Sequence, residues 1–462
     1  MNAQDLVLDA ELLSRFDKPG PRYTSYPTAD RFVSAYDAEA HRATLEGLRL
    51  RGKRRALSLY VHLPFCNTVC YYCACNKVVT RDHSRAAKYL HYLSREMALV
   101  TDLIGKGRPI EQLHWGGGTP TFLSNAEIRE LSASLRAHFN FTPGGEYSIE
   151  IDPRTVDAEK MKVLGECGFN RISVGVQDFD PAVQAAVNRQ QSFAVTETAI
   201  EAARVNGCES VNIDLIYGLP LQTPRRFATT LAKVLQLAPD RIALYNYAHL
   251  PTLFKPQRRI NEADLPDAAT RVELLQLAVR TLRDAGYRYI GMDHFARPDD
   301  ELARAQELGH LHRNFQGYST RAEADLLAFG VSAISSIGST YSQNLKTLPE
   351  YYDALDQGVL PLMRGIALNA DDLVRRSVIQ SLMCHFAVSI EAVEQAYLIK
   401  FDKYFAAELE ALQSYIRLGL VEIDDGWLCV TSRGRWFVRA ICMTFDRYLR
   451  QSEERARYSK VV

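Results

Sequence analysis

Short apolar runs rich in β-branched and aromatic residues alternate with amphipathic stretches of helical period between residues 58 and 247. The stretches between these runs have helix caps, as at Ser124 and Thr223. Six runs predict strands: Ser58 to His62, Gln112 to Trp115, Glu146 to Ile151, Arg171 to Gln177, Ser210 to Tyr217 and Arg241 to Tyr247. Because strands that alternate with helices form parallel sheets, we expect either an open doubly wound sheet or a full or partial (β/α) barrel. In both, ligands bind at the carboxyl ends of the strands.

The chain continues with one more helix and strand and then changes in character. A helical stretch around Leu274 to Leu282 precedes a strand from Tyr287 to Met292. From about Asn369 three helices are followed by a strand from Leu420 to Ile423, a turn, a strand from Trp427 to Val430 and a last helix from Arg433 to Leu449. This order resembles a winged helix. We therefore predict an N-terminal arm over 1–50, a catalytic domain over 51–365 and a mostly helical, winged-helix-like C-terminal domain over 366–462.

Composition and charge exclude several classes of protein. Lys and Arg total 55 and Asp and Glu total 55 among 462 residues, so no global field attracts nucleic acid. The winged-helix-like part has Arg375 and Arg376 but no basic stripe, which favours a packing or lid role over DNA binding. No run approaches the roughly 20 apolar residues that span a bilayer, and Met1 to Asp9 lacks a secretory pattern. The sequence predicts a soluble cytoplasmic protein with no nucleic-acid partner and no membrane insertion.

The nine cysteines divide into one dense group and five scattered residues. Four of them lie between Cys66 and Cys75. The other five lie in apolar or helical surroundings: Cys167, Cys208, Cys384, Cys429 and Cys442. An odd number with this distribution argues against a disulfide framework. We expect the scattered five to be small buried side chains.

The dense group has the spacing C-x3-C-x2-C, from Cys66 through Cys70 to Cys73, directly after the first predicted strand. Three thiolates this close can each bind one corner of a cubane iron-sulfur cluster, which leaves the fourth iron open to a ligand other than protein. The alternative is structural zinc, with Cys75 as a fourth ligand. Zinc is disfavoured because no second cysteine pair follows at the usual distance and four ligands so close together would strain the loop.

This motif after the first strand of a (β/α) barrel resembles the signature of the radical S-adenosylmethionine superfamily. The resemblance implies a partial (β/α)6 barrel and a [4Fe-4S] cluster on Cys66, Cys70 and Cys73. It also implies that the amino and carboxylate groups of S-adenosylmethionine bind the open iron, and that the reduced cluster splits this cofactor into methionine and a 5′-deoxyadenosyl radical. For Cys75 the roles of iron ligand, radical relay and structural thiol stay open, and its position favours one near a second cofactor or the substrate.

A glycine-rich turn and four polar residues fall at or near the ends of predicted strands. The turn resembles the glycine motif that binds the ammonium of S-adenosylmethionine, and its candidates are Gly117, Gly118 and Thr119. The polar candidates are Glu150 for the amino group or ribose, Gln177, Arg189 for the methionyl carboxylate and Asp214 for the ribose hydroxyls. Any one of these residues alone would more commonly be a surface or interstrand polar residue.

Longer strings resemble the bacterial oxygen-independent coproporphyrinogen III oxidases, a family of this superfamily, over nearly the whole chain. They are Pro21 to Thr28, Asn246 to Pro251, Gly291 to Asp300 and His312 to Tyr318. The resemblance implies an oxidoreductase (coproporphyrinogen dehydrogenase) of anaerobic haem biosynthesis. Such an enzyme converts two propionates of coproporphyrinogen III to vinyl groups, giving protoporphyrinogen IX, by abstraction of a propionate β-hydrogen. It implies two molecules of S-adenosylmethionine. We expect an electron donor such as a flavodoxin or ferredoxin, and a monomer.

The same resemblance assigns further residues. It places Tyr60 near the cluster, and Tyr72 and Ala248 at the first S-adenosylmethionine. It assigns a second nucleoside-binding position to Phe315, Gln316 and Ile334. Candidates for binding the substrate carboxylates are Arg22, Arg297 and Arg313. Two alternatives of other classes are a haem-binding chaperone of the same family, against which Cys75 and the string from Arg22 to Pro27 argue, and a zinc-bearing winged-helix regulator.

Overall fold

The computed structural model describes residues 12, 15, 16, 19–50, 56–322 and 324–450. They divide into two compact units. The first, here called the sheet unit, comprises Phe32–Leu274 and the described residues of 323–367. The second, the terminal unit, comprises the described residues up to Arg31, Leu275–Ala322 and those from Leu368 onward. The sequence from Met1 to Asp9, the predicted domain start at residue 51 and the last twelve residues lie outside the described residues. The three-domain division stays a prediction.

The elements have the following bounds. The strands are β1 Leu57–Leu63, β2 Phe65–Cys66, β3 Val78–Val79, β4 Arg108–Gly117, β5 Phe139–Ile151, β6 Arg171–Gln177, β7 Ser210–Tyr217, β8 Arg241–Asn246, β9 Arg288–Gly291, β10 His294–Ala296, β11 His312–Asn314, β12 Gly317–Ser319, β13 Asp325–Phe329, β14 Ile334–Ile337, β15 Thr340–Asn344, β16 Leu362–Ala367, β17 Ala387–Ser389, β18 Val421–Asp424 and β19 Trp427–Val430. The α-helices are Ala38–Leu50, Ser84–Ile104, Asn125–His138, Ala158–Glu166, Pro181–Ala186, Phe193–Val205, Pro224–Gln236, Ala268–Asp284, Glu301–Glu307, Leu348–Asp356, Ala370–His385, Ile390–Tyr397, Phe401–Tyr404, Ala406–Arg417, Val438–Phe445 and Arg447–Arg450. Short 3₁₀ helices are Ala29–Arg31, Pro120–Phe122, Pro153–Thr155, Lys255–Arg259, Glu262–Asp264 and Arg435–Phe437.

The strands of the sheet unit follow the order β16-β15-β14-β13-β1-β4-β5-β6-β7-β8. The six predicted strands are β1 and β4 to β8; they run parallel, and each pairs with the next of the six along the chain. A doubly wound sheet would reverse this order at a switch point, whereas a barrel winds in one direction. The predicted partial (β/α) barrel is therefore confirmed, and the doubly wound alternative is wrong.

Four strands of this sheet were not predicted. β13 runs parallel to β1, with Tyr60 opposite Ala328, and β14 to β16 continue as antiparallel strands. All five residues of β13 are buried, so this run lacks the alternation that marks a strand. β13 to β15 also follow one another without the intervening helices that reveal parallel strands.

Two helices between the parallel strands begin where the sequence predicts caps. The Ser124 side chain accepts a hydrogen bond from the Glu127 amide while the Glu127 carboxylate accepts one from the Ser124 amide, a reciprocal capping box. The Thr223 hydroxyl accepts a hydrogen bond from the Arg226 amide at 3.3 Å. Their apolar faces are buried, as shown by exposed fractions of 2 % or less at Ile128, Leu131, Leu135, Phe227 and Leu231. Both predicted helices are confirmed.

One face of the parallel sheet is polar. The Ser58 hydroxyl donates to the Gln112 amide oxygen at 2.9 Å, and the Gln112 amide nitrogen donates to Glu146 at 3.1 Å. Two residues further along the same strands, His114 Nδ1 and Ser148 Oγ are 2.6 Å apart. Since side chains alternate along a strand, this polar face continues toward the carboxyl ends of the strands. Candidate site residues at those ends therefore point to the same side.

The terminal unit contains β9, which confirms the strand predicted at Tyr287 to Met292. It also contains a three-stranded antiparallel sheet in the order β17-β19-β18. Two of these strands are the predicted pair around the turn at Asp424, and the third, β17, follows the helix Ala370–His385 directly. The predicted helical, winged-helix-like character of this part is confirmed.

The continuous last helix predicted from Arg433 to Leu449 is wrong. A 3₁₀ turn, the helix Val438–Phe445 and one further turn replace it. The break falls at Asp446, whose backbone is extended at φ −83° and ψ 100°. Its carboxylate accepts the amide hydrogens of Tyr448 and Leu449, which caps the following turn and competes with continuation of the helix.

The segment from Gly20 to Tyr26 belongs to the terminal unit. Arg439 donates hydrogen bonds to the carbonyls of Gly20 and Pro21, and the Tyr23 hydroxyl donates to Asp446 at 3.0 Å. Tyr23 and Tyr26 are both buried. The N-terminal family-like string is therefore built into the core of this unit.

Two further expectations concern the chain as a whole. Within the described residues, no helix combines the length and the hydropathy needed to span a bilayer. Among the scattered cysteines, Cys384 and Cys442 are buried as expected, whereas the other three are only half-buried: Cys167, Cys208 and Cys429.

Candidate functional site

A cavity of about 420 Å³ lies at the carboxyl ends of the parallel strands of the sheet unit. Most of the candidate residues line it: Cys66, Cys70, Cys73, Cys75, Tyr72, Gly117, Gly118, Thr119, Glu150, Gln177, Arg189 and Asp214. Because the carboxyl ends of neighbouring parallel strands meet at one edge, candidate residues up to 148 positions apart share this cavity. Its volume lies within the range typical of small-molecule sites.

The cysteine motif forms a loop that is closed by the pairing of β2 with β3. The Cys66 sulfur lies 3.4 Å from the Thr119 hydroxyl, and the Cys73 amide donates to the Cys70 carbonyl at 3.2 Å. Burial raises the pKa of the Cys66 thiol to about 11. Hydrogen bonding from Cys75 outweighs burial and lowers the pKa of Cys73 to about 6, so Cys73 is the readier thiolate.

The four thiols of this segment differ in exposure. Cys75 is exposed, whereas Cys66, Cys70 and Cys73 are half-buried. The three motif cysteines thus differ from Cys75 in their surroundings.

The glycine turn packs directly against the start of the cysteine loop. The Gly118 amide donates to the Leu63 carbonyl at 2.9 Å, and the Thr119 amide donates to the Phe65 carbonyl at 2.8 Å. A Cβ atom on Gly118 would lie 2.5 Å from the Pro64 carbonyl oxygen, and Gly117 has a φ of +124°, which L-residues rarely adopt. Both glycines are therefore required by the backbone itself.

Glu150 stands next to this turn. Its carboxylate accepts the Gly117 amide hydrogen at 3.2 Å and lies 3.3 Å from His114 Nε2. A carboxylate can accept further hydrogen bonds beyond these two contacts. Glu150 can therefore accept hydrogen bonds from an ammonium or hydroxyl group of a ligand in the cavity.

Arg189 is 8 % exposed and is held by groups on three sides. One Nη atom donates to Asp152 at 3.1 Å and to the Cys70 sulfur at 3.6 Å, and the other donates to the Gly175 carbonyl at 2.6 Å. Among the described residues, its Nε has no hydrogen-bond partner. A buried guanidinium nitrogen without a partner indicates that an acceptor such as a carboxylate belongs there.

Asp152 fixes this guanidinium and was missed by the sequence analysis. It also binds Arg154, whose guanidinium donates to both carboxylate oxygens. Burial alone would raise the pKa of Asp152, but the cations Arg189 and Arg154 outweigh burial and hold that pKa below its usual range. Asp152 therefore stays ionised as the counter-charge of Arg189.

Asp214, unlike Asp152, has a raised pKa. Ser173 and Asn212 donate hydrogen bonds to its two oxygens at 3.0 and 2.8 Å. Burial, with the negative charge of Glu150, raises the pKa of Asp214 to about 6. The neighbouring Gln177 follows a bulge in β6 and has a φ of +67°, a strained angle of the kind that persists at ligand sites.

These features fit the implied cofactors. Three thiols on one loop suit an iron-sulfur cluster with an open corner. The unpartnered Arg189 Nε suits a carboxylate, and Glu150 and Asp214 suit an ammonium and hydroxyl groups. An amino acid joined to a ribose has all three of these groups.

Five candidate residues do not line this cavity. The Tyr60 hydroxyl lies 3.1 Å from His62 Nδ1, and the Tyr60 ring stacks on His114. The Ala248 carbonyl accepts a hydrogen bond from Gln257. Phe315 and Gln316 form the turn between β11 and β12 in the terminal unit, whereas Ile334 begins β14 in the sheet unit. The structure thus leaves the second nucleoside position a prediction.

The three arginine candidates differ in their surroundings. Arg22 forms an ion pair with Asp293. Arg313 is 3 % exposed, lies over the Tyr318 ring and donates to the Arg22 carbonyl. Arg297 is exposed. Of the three, Arg297 is the one whose side chain is turned to solvent.

Comparison with known proteins defines the class first. The family model described as the radical SAM superfamily matches residues 60–234, and the model described as the HemN C-terminal domain matches residues 368–437. The structure is similar to that of coproporphyrinogen III oxidase (HemN) from Escherichia coli, a radical SAM enzyme, with a TM-score of 0.90 and 46 % identity over 96 % of this chain and 100 % of that chain. The chain is therefore a radical S-adenosylmethionine enzyme, with the α/β fold predicted.

Relatives of full length then define the family. An oxygen-independent coproporphyrinogen III oxidase of Pseudomonas aeruginosa is 52 % identical over 98 % of both chains, and that of Escherichia coli K12 is 47 % identical over 100 % of both. This chain belongs to the oxygen-independent coproporphyrinogen III oxidase family. The predicted family, oxidoreductase class and cofactors, a [4Fe-4S] cluster and S-adenosylmethionine, are confirmed. The chaperone alternative is not favoured.

Proposed function

We propose that this protein catalyses the oxygen-independent oxidative decarboxylation of two propionates of coproporphyrinogen III to vinyl groups, giving protoporphyrinogen IX. The observation that carries the proposal is the single cavity that unites Cys66, Cys70 and Cys73 with the partnerless Nε of Arg189, in a chain similar over its full length to oxidases of that name. Two molecules of S-adenosylmethionine are used for the two propionates.

Cys66, Cys70 and Cys73 would hold the cluster. When bound, the cluster and S-adenosylmethionine supply a carbon radical that takes an unactivated β-hydrogen from a propionate, after which carbon dioxide and one electron leave and the vinyl group forms. Cys75, exposed and 2 residues beyond Cys73, is proposed to act at the substrate or second cofactor.

Arg189 orients the methionyl carboxylate through its Nε. Because Asp152 and the Gly175 carbonyl already hold both Nη atoms, the guanidinium plane is fixed before the ligand arrives. Glu150 binds the ammonium group beside the glycine turn, and Asp214 accepts hydrogen bonds from ribose hydroxyls in its ionised form. Gln177 completes the cofactor-binding set from the end of β6.

Tyr72 and its neighbours exclude water from one side of the cavity. Tyr72 lines the cavity and also packs against a buried apolar cluster that includes Val183, Val187 and Tyr247. An apolar wall protects a reactive radical from side reactions with solvent. Tyr60 is proposed to support the cluster's surroundings through its contacts with His62 and His114.

The remaining roles belong to partners and to the second site. Phe315, Gln316 and Ile334 are proposed to bind the second S-adenosylmethionine, and Arg297 is the proposed ligand of a substrate carboxylate. An electron donor such as a flavodoxin or ferredoxin reduces the cluster, and a separate acceptor takes the electron released from the substrate. We place the enzyme, as a monomer, in the cytoplasm.

The test is an anaerobic reconstitution. Protein with a reconstituted cluster, a reductant, S-adenosylmethionine and coproporphyrinogen III is expected to give protoporphyrinogen IX together with 5′-deoxyadenosine. A Cys70→Ala variant should give neither product, whereas Cys167→Ala should keep both. Absence of both products from wild-type protein with an intact cluster would contradict the proposal.

A further inference from the structure

Gln257 is a buried amide beside the cofactor cavity. It lies on the 3₁₀ helix Lys255–Arg259, shortly after β8, and is 2 % exposed. A glutamine buried this deeply must have its amide groups satisfied by the protein, so its contacts indicate its role.

The amide of Gln257 makes three hydrogen bonds to backbone groups. Its nitrogen donates to the Tyr72 carbonyl and to the Ala248 carbonyl, each at 3.1 Å. Its oxygen accepts the Leu250 amide hydrogen at 2.6 Å. Both hydrogens and the oxygen of one side chain are thus used to join two distant stretches of backbone.

These two stretches bear different parts of the proposed site. Tyr72 lies within the cysteine loop, between Cys70 and Cys73. Ala248 and Leu250 lie in the segment that follows β8. Bonding both stretches to one amide sets the distance between the cluster ligands and the end of β8.

The cysteine loop is also bonded to the end of a different helix. The Tyr71 amide donates to the Val187 carbonyl at 2.9 Å, and the Asn188 side chain donates to the Val69 carbonyl at 2.8 Å. Gln257 supplies a second attachment, to the segment after β8. Without Gln257 the loop would keep its bonds to Val187 and Asn188, and its cysteines would be freer to shift relative to β8.

We propose that Gln257 is a positioning residue that holds the cysteine loop against the segment after β8. It thereby keeps the cluster and S-adenosylmethionine at the correct distance and orientation relative to each other. The inference rests on the proposed function, because it assigns Gln257 to the same cofactor site. Only an uncharged amide supplies two donors and one acceptor here: ionised glutamate would face the two carbonyls with oxygen atoms, and methionine would leave them without donors.

The test compares Gln257→Met with a matched control, Gln306→Met. Gln306, in the terminal unit, also donates from one amide to two backbone carbonyls, those of Ile290 and Cys384, at 2.5 and 2.8 Å. Both variants lose two hydrogen bonds to carbonyls, and Gln257→Met also loses the acceptor for the Leu250 amide, so a loss of general stability should affect both. A positioning role at the cofactor site should affect Gln257→Met alone.

Three measurements are made on anaerobically reconstituted protein: the rate of iron release to a chelator, the Kd for S-adenosylmethionine and the thermal midpoint of the cluster-free protein. For Gln257→Met we expect iron release and Kd to rise by about tenfold, since small misplacements of reacting groups have effects of this size or larger. For Gln306→Met we expect both within twofold of wild type, while the thermal midpoint falls in both variants.

Equal iron release and equal Kd in the two variants would overturn the proposal. If Gln257→Met does not fold, Gln257→Glu of the same shape takes its place; it keeps the acceptor for Leu250 and should still show the faster iron release and weaker binding. A wild-type protein that neither retains a cluster nor binds S-adenosylmethionine would instead contradict the proposed function, so the two failures are distinguishable.

Discussion

Asp152 and Asp214 both line the cavity, but their pKa values are shifted in opposite directions. Asp152 is ionised because Arg189 and Arg154 compensate its burial, and its role is to hold a cation in place. Asp214 has no cation bonded to it, and its pKa is raised to about 6 by burial and by Glu150. Perturbed pKa values of this kind are common among residues at functional sites.

Asp214→Asn is therefore expected to stabilise the cluster-free protein while weakening cofactor binding. A carboxyl with a raised folded-state pKa makes folding less favourable as the pH rises from about 4 to about 6, and the full penalty persists above that pH. Asn removes the penalty but accepts fewer hydrogen bonds from ribose. Thermal unfolding at pH 7.5 should show a midpoint raised by roughly 2–4 °C, and titration should show a higher Kd for S-adenosylmethionine.

The same change at the exposed Asp284 serves as the control and should alter neither quantity. Below about pH 4 the stability gain of Asp214→Asn should vanish, because Asp214 is then protonated in both the folded and the unfolded state. A thermal midpoint that falls at pH 7.5 would show that the Asp214 charge is compensated in the free protein.

At the residue scale the sequence named many of the residues that line the cavity but not the residues that hold them in place. Glu150, Arg189 and Asp214 could be named because the family motif and the strand ends single them out. Asp152 and Gln257 could not, because their partners lie on other elements and a buried polar residue looks the same in sequence as an exposed one. The left-handed backbone at Gln177 likewise has no sequence signal, since it depends on the bulge in β6.

At the element scale the site depends on the contact between the end of β4 and the cysteine loop. The hydrogen bonds from Gly118 and Thr119 continue the pairing of β4 with β1 into the residues that precede Cys66. The closeness of these two backbones leaves no space for a side chain at Gly118. The glycine turn therefore fixes the backbone at the start of the cysteine loop in addition to lining the cavity.

Gly118→Ala should lower the iron content of the reconstituted protein. The added Cβ would lie 2.5 Å from the Pro64 carbonyl oxygen and 2.8 Å from that of Phe65, so the two backbones must move apart at the start of the cysteine loop. Iron and sulfide analysis should show less than half the wild-type content. Gly47→Ala, in a helix with nothing within 4 Å, should keep the full content and stabilise the helix by about 0.5–1 kcal/mol; equal iron content in the two variants would contradict this account.

The elements themselves were largely predictable. The six parallel strands have clear β-rich runs, and the capped helices between them have clear periodicity, so both followed from the sequence. β13 was missed because it is five residues long and no helix separates it from β14 and β15, and the last helix was predicted as continuous although Asp446, a residue type that caps helices, lies within it.

At the scale of the whole molecule, the two ends of the chain share one unit. Tyr23 and Asp446 are 423 positions apart in sequence and are joined by a buried hydrogen bond, and Arg439 binds the carbonyls of Gly20 and Pro21. The sequence showed a family-like string at the N-terminus but could not show where it packs. Long-range pairing of this kind leaves no periodic signal.

Tyr23→Phe should destabilise the terminal unit without changing the cofactor cavity of the sheet unit. The change leaves the Asp446 carboxylate, 2 % exposed, without its hydroxyl donor, which should cost about 1.5–3 kcal/mol. Denaturant unfolding should show the loss in a transition of the terminal unit, and Kd for S-adenosylmethionine should stay within twofold of wild type. Tyr397→Phe, at a half-buried position, is the control and should leave the unfolding transition in place.

The central claim is that the cavity around Cys66, Cys70 and Cys73 starts radical chemistry at the propionate β-carbon. The most direct measurement uses coproporphyrinogen III deuterated at the β-carbons of its propionates, with mass spectrometry of the 5′-deoxyadenosine that forms. The account predicts 5′-deoxyadenosine one mass unit heavier than that formed with unlabelled substrate, in step with formation of protoporphyrinogen IX. Formation of protoporphyrinogen IX with unlabelled 5′-deoxyadenosine would contradict it.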